Sequence, residues 1–209
     1  MSPAFKVRWT LTPLESPQPW LACSACGCPR PYRCSGKTRV NANGRRLDAW
    51  LIYRCRICDG TWNRPIFERR PVGSVEPALL EAMHANDPDF IRAIAFDIQG
   101  LGRRAERIDE FDALDLRKAI IEAPPEWDQL QIEVAVSLPV GVRVDRLLAG
   151  HLPVSRRELG AMFDSGHIAV APFHADALKR RVRDGSSIAI DLSDFADRKP
   201  DWRVAAAVI

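Results

Sequence analysis

Apolar and polar residues alternate at the start of the chain: Phe5, Val7, Trp9 and Leu11 alternate with Lys6, Arg8, Thr10 and Thr12, the period of a half-buried strand. Farther on, "NANG" places Asn43-Gly44 at a tight turn, and the apolar run "RRLDAWLIYRC" reads as a strand returning to Cys55. The pattern then turns helical. Ser74 is placed to cap "VEPALLEAMHA", Asp87-Pro88 opens "DPDFIRAIAFDI", and Gly100 and Gly102 break the run. A third helix is expected around "DALDLRKAIIEA", stopped by Pro124 and Pro125. Val144, Leu147, Leu148 and Leu152 form an apolar helical stripe ended by Pro153, with Arg143 and Arg146 turned the other way. Ser155 and Glu158 have capping-box spacing for a second helix that buries Leu159, Met162 and Phe163 and stops at Gly166. "HIAV" and "SSIAIDL" read as strands, the second entered through Asp184-Gly185.

A chain of 209 residues that is 46% hydrophobic can bury one large core or two small ones, which excludes a disordered tail. No apolar run approaches the roughly 18 residues of a membrane span, and the opening residues lack a leader's layout. The expectation is a soluble, cytoplasmic protein with no membrane partner. The net charge of +3 conceals a division: residues 27–70 carry 11 Lys/Arg against 3 Asp/Glu, and residues 71–136 carry 6 against 14. Either the basic segment meets a polyanion, or it pairs with the acidic middle.

In a reducing compartment six cysteines point to metal ligands or plain thiols before disulfides. Cys23 and Cys26 repeat the spacing of Cys55 and Cys58, and two such pairs make a four-thiolate site. Zinc takes four ligands in a tetrahedron about 2.3 Å from sulfur, and the small residues that such turns need stand at Gly27 and Gly60. The pattern looks like a zinc ribbon holding structural zinc; a closed four-thiolate site leaves no open position for substrate. Cys28 and Cys34 remain as small, partly buried side chains, as a ligand able to exchange with Cys26, or as a redox pair. Arg30, Arg33, Lys37, Arg39, Arg45, Arg46, Arg54 and Arg56 are interleaved with Tyr32, Trp50, Tyr53 and Trp62; cations can reach phosphates while rings stack on bases, but Trp50 and Tyr53 are read first as packing the small core.

Arg156 and Arg157 sit in the first turn of the second C-terminal helix, where the helix dipole disfavours cations. With the Ser155 hydroxyl and the free N–H groups of that turn they make an anion site suited to phosphate. The stretches "RVDRLL", "SRREL", "SGHIAV" and "VRDG" resemble the alpha-L RNA-binding motif, named from a small-subunit ribosomal protein and recurring in heat-shock ribosome-binding proteins, pseudouridine synthases and tyrosyl-tRNA synthetases. The resemblance covers about a quarter of the chain and implies a basic face on structured RNA, ribosomal or transfer, or on the ribosome. It nominates Arg143, Arg146, Ser155, Arg156, Arg157, Lys179, Arg180, Arg181 and Arg183 as contacts. It departs from the motif after Val170, where Ala171-Pro172 and "FHADA" replace the usual Asn-Gly. Over its full length the chain is similar to a bacterial family known as a domain of unknown function, number ten sixty-two, which brings no established activity.

These readings imply an α+β protein: an N-terminal zinc-ribbon β domain over 1–72, an acidic helical segment over 73–136 and an alpha-L-type module over 137–209. The expected function is non-catalytic RNA binding with structural zinc. One rival is a thiol-based enzyme using Cys28 or Cys34, or one using His151 or His174; another is a protein-interaction adaptor docking through the basic ribbon.

Overall fold

A computed structural model describes residues 3–207. The chain runs through strands β1 (Ala4–Pro13), β2 (Gln18–Cys23), β3 (Cys28–Asn43), β4 (Arg46–Cys55) and β5 (Thr61–Pro71), then short helices α1 (Pro77–Ala85), α2 (Pro88–Ala95) and α3 (Ile98–Gly102). It continues through β6 (Arg107–Asp109), β7 (Leu114–Glu122), β8 (Gln129–Val136), α4 (Val144–His151), α5 (Arg156–Asp164), β9 (Ile168–Ala171), β10 (Ser187–Asp191) and α6 (Lys199–Ala207). No helix among the described residues is long and apolar enough to cross a membrane.

The chain divides into two compact units, one made of the N-terminal segment up to Leu14 together with everything from Phe111 onward, the other of Glu15–Glu110. In the first, the sheet order is β7-β1-β8-β10-β9, with β1 parallel to β8 and the other neighbours antiparallel. Phe5, Val7, Trp9 and Leu11 of β1 are fully buried, because a strand between two neighbours must turn one set of alternating side chains inward. Leu147, Leu148, Leu159 and Met162 of α4 and α5 and Trp202 of α6 complete that core, and the Trp9 indole donates to the Ala206 carbonyl at 2.9 Å.

In the second unit the order is β5-β4-β3-β2-β6. Leu51, Tyr53 and Cys55 of β4 point inward. The side facing the helices is fixed by hydrogen bonds: the Thr38 amide donates to Asn86 Oδ1 at 2.7 Å and its hydroxyl to the Met83 carbonyl. Arg64, only 7% exposed, donates to the Ile94 carbonyl at 2.6 Å and pairs with Asp97 at 2.7 Å. A Cβ at Gly100 would strike both members of that pair.

The architecture corrects the expected α+β class. The chain is mostly β, with two five-stranded sheets and six short helices among the described residues, and it shows neither a free-standing zinc ribbon nor a separate alpha-L module. Three physical reasons account for this. The stretch expected as a third helix is strand β7, because β1 presents a free edge and takes Leu114–Glu122 as its antiparallel partner. For the same reason β1 belongs with the C-terminal strands rather than with the cysteine-bearing ones, so the units do not divide at 72 and 136. At the other end β10 pairs with β8, which merges the C-terminal helices and strands into one sheet and one core.

Candidate metal centre and basic sheet face

Cys23 ends β2, Cys55 ends β4, and each opens a tight turn carrying the second cysteine of its pair. In the first turn the Gly27 amide donates to the Cys23 carbonyl at 2.9 Å, and Gly27 has φ +69°, a conformation that a side chain would strain. The second turn repeats this geometry: the Asp59 amide donates to the Cys55 carbonyl at 3.0 Å, with Asp59 at φ 56°. Cys55 and Gly60 then close it through a backbone bond of 2.8 Å.

The four Sγ atoms of Cys23, Cys26, Cys55 and Cys58 lie within 4.8 Å of one another, and those of Cys23 and Cys58 are 3.4 Å apart. A tetrahedron with bonds of about 2.3 Å has edges of about 3.8 Å, so the cluster already has the dimensions of a four-thiolate metal site. Amides of Ile57 and Gly60 point at Cys55 Sγ and Cys58 Sγ at 3.5 and 3.4 Å, as donors that stabilise thiolate charge. A Cβ at Gly60 would come within 3.2 Å of Cys58 Sγ, so the cradle is close around sulfur. The Tyr32 hydroxyl, hydrogen-bonded to Cys23, is the main reason that this thiol is lowered to about 6, while contact with Cys58 and burial push Cys26 up to about 12. Burial, and then Cys23, hold the Tyr32 hydroxyl in its protonated, donating form. Tyr32, one of the rings expected to stack on bases, is instead buried beside the Cys23 thiol as its partner.

Cys28 and Cys34 lie outside the cluster. Cys28 Sγ reaches the Cys26 carbonyl at 3.5 Å. Burial pushes the Cys34 thiol up, against the Gly36 amide and the Arg64 charge, which is opposite to what a nucleophile needs. His151 packs edge-on to Trp9 with ring centroids 5.9 Å apart, and burial followed by Lys118 keeps it neutral. The Ser165 hydroxyl meets His167 Nδ1 at 2.8 Å and His167 Nε2 meets Asp194 at 3.1 Å; that hydroxyl also reaches the Met162 carbonyl at 3.2 Å, so the chain of contacts staples the end of α5.

The C-terminal cations are less available than their sequence implies. Asp145, 9% exposed, accepts from Arg143 at 2.9 Å and from Arg156 at 2.7 Å. Arg146 pairs with Asp112, and Arg180 with Asp176 at 2.7 Å. Ser155 caps α5 in a full capping box with Glu158: the Glu158 amide donates to the Ser155 hydroxyl and the Ser155 amide to the Glu158 carboxylate, which takes up one of the first-turn N–H groups expected to meet an anion. Arg157, Lys179, Arg181 and Arg183 are exposed. Asp145, an acid set among the apolar positions of α4, is what draws Arg143 and Arg156 in.

A second basic surface emerges from strand register. Residues directly opposite one another in an antiparallel pair share a face. Arg33 stands opposite Arg54, Lys37 opposite Ile52, and Arg39 opposite Trp50, while Thr61, Asn63 and Pro65 of β5 continue the same three rows. This face lies opposite the one that carries Thr38, Leu51 and Arg64 and meets the helices. Arg33, Lys37, Arg39 and Arg54 are exposed, and Trp50 is half-buried among them. Among the described residues, Asp59 forms an ion pair with one of these cations, Arg33, at 3.2 Å. Trp20 lies on the same face through its pairing with Pro31, but Arg107 stacks on its ring at 4.2 Å and Asp109 accepts from its indole at 2.7 Å.

The family described as "Protein of unknown function (DUF1062)" matches residues 40–172, and the chain belongs to it. No curated protein and no solved structure matches the chain.

Proposed function

We propose that this member of the family is a non-catalytic RNA-binding protein in which a structural zinc ion, held by Cys23, Cys26, Cys55 and Cys58, pins the strands that carry the binding face. The observation that carries the reading is the open face of β3 and β4, with Arg33, Lys37, Arg39 and Arg54 around Trp50. Four exposed cations on one sheet face suit the phosphates of a polyanion, and the half-buried Trp50 ring among them can add contact with bases. Zinc held by these four thiolates would supply cross-linking rather than chemistry, since a four-thiolate site leaves no open position for substrate. Ribosomal and transfer RNA, the expected partners, display unpaired loops that such a face can reach. Among the C-terminal residues, Arg157, Lys179 and Arg183 supply further exposed positive charge.

The test is binding to total transfer and ribosomal RNA across a salt series, with Lys37→Glu/Arg39→Glu compared with Arg156→Glu/Arg157→Glu and zinc content checked in each. Four phosphate contacts predict a slope of log K against log salt of about −3, since each contributes about −0.7 on single strands. The first variant should weaken binding more than tenfold (about 1.4 kcal/mol) and flatten that slope by about half. Absence of salt-dependent binding by the native protein would refute the reading. Capture of a specific protein, indifferent to added RNA, would favour the adaptor.

A further inference from the structure

Trp50 stands in the middle row of the exposed ladder, between Arg39 on β3 and Pro65 on β5. Ile52 and Arg54 follow it on the same face of β4 at two-residue steps, each about 7 Å for an antiparallel strand. Its ring therefore has cations beside it and along its strand. Trp20, the other tryptophan on this face, is already covered by Arg107 and tied to Asp109. Among the described residues no cation stacks on the Trp50 ring, whereas Arg107 covers Trp20 and Lys118 lies over Trp9.

We propose that Trp50 is a base-stacking platform, and that the face of Arg33, Lys37, Arg39 and Arg54 takes unpaired rather than duplex RNA. This rests on the RNA-binding reading above and narrows it. In a duplex the bases are stacked on one another and present only their edges, and the A-form major groove is too deep and narrow for a sheet face to enter. An aromatic ring set among the cations of a sheet face can reach a base only where the strand is single, and stacking then accepts any base because each has a π-face. The ligand class is thus a single-stranded loop or tail, read by backbone charge and stacking with little sequence preference.

The experiment uses the full chain with zinc bound, a labelled oligouridylate and a blunt RNA duplex of equal length, with fluorescence anisotropy at two salt concentrations. The single strand should bind at least tenfold more tightly. Trp50→Ala should weaken single-strand binding about tenfold or more while leaving the salt slope unchanged, and Trp50→Phe should retain most of the affinity. Trp50→Leu, which keeps apolar bulk without a ring, should behave like Trp50→Ala and carries the comparison if the alanine variant fails to fold. Equal binding of duplex and single strand, or a leucine variant as tight as the native protein, overturns the stacking platform while leaving RNA binding in place. Failure to bind either RNA overturns both.

Discussion

Replacing Cys58 by serine separates the metal from the packing. Cys58 is the exposed member of the cluster, whereas Cys23 and Cys55 are buried, so Cys58→Ser removes one ligand without opening a cavity. In the metal-free protein such a surface change should stay within about 0.5 kcal/mol of the native value. With metal bound, the ion cross-links two turns separated by a loop of roughly 30 residues; loop-closure entropy for that length is about 4 kcal/mol. For a unit of roughly 100 residues each kcal/mol shifts the melting midpoint by about 4–8 °C, so the clip predicts a shift of about 15–30 °C in the unit containing the site. The assay is thermal unfolding of native protein and variant, with and without a chelator, beside metal content by mass spectrometry. The native protein should carry one zinc per chain and lose the shift on chelation; the variant should release its metal to a chelator that the native site resists. Native melting indifferent to chelation, or a variant that holds metal as firmly, would refute the four-thiolate assignment.

Other substitutions address charge placement. Arg143→Ala/Arg156→Ala strands the buried Asp145 carboxylate and should cost about 3–5 kcal/mol in urea unfolding; adding Asp145→Asn should recover part of the loss, and no recovery would contradict the pairing. His151 is held below its usual range by burial and then by Lys118, so its contribution to stability is present above about pH 6.5 and declines as pH falls below that value. Stability should therefore fall between pH 7 and 5, and His151→Gln should flatten that fall; parallel curves would count against it. Cys34, whose thiol is raised by burial, should alkylate slowly in the zinc-bound protein, and rapid labelling would revive a thiol-based enzyme.

What could be read from the sequence was local. The alternation of β1, the capping box of α5 and the paired cysteines each rest on residues a few positions apart, and the structure bears them out as a strand, a cap and a cluster. What could not be read depended on partners distant in the chain. Leu116 is the buried residue of β7, too weak a pattern to distinguish strand from helix, and the register comes from β1 more than 100 positions earlier. The basic residues of the cysteine-bearing strands were legible as a set, but which of them share one face was hidden for a related reason. Its rows cross three strands, and the irregularity between Cys34 and Lys37, where Gly36 has φ +69°, shifts the pairing that sets Arg39 beside Trp50.

The two basic regions differ in how readily their charge can be transferred to a phosphate. Exposed ion pairs such as Arg180–Asp176 add little to stability, so a phosphate can displace the acid at little loss. The Arg143–Asp145–Arg156 group is different, because releasing either arginine toward RNA weakens the compensation of a buried carboxylate whose cationic partners among the described residues are these two. Binding there would draw on the stability of the fold. On β3 and β4 the recorded ion pair is Arg33–Asp59, and both of its members are more than half exposed. Arg33, Lys37, Arg39 and Arg54 can therefore meet phosphates while the core stays as it is, and charge reversal at Lys37 and Arg39 should outweigh reversal at Arg156 and Arg157. The opposite ranking would place the RNA on the C-terminal helices despite Asp145.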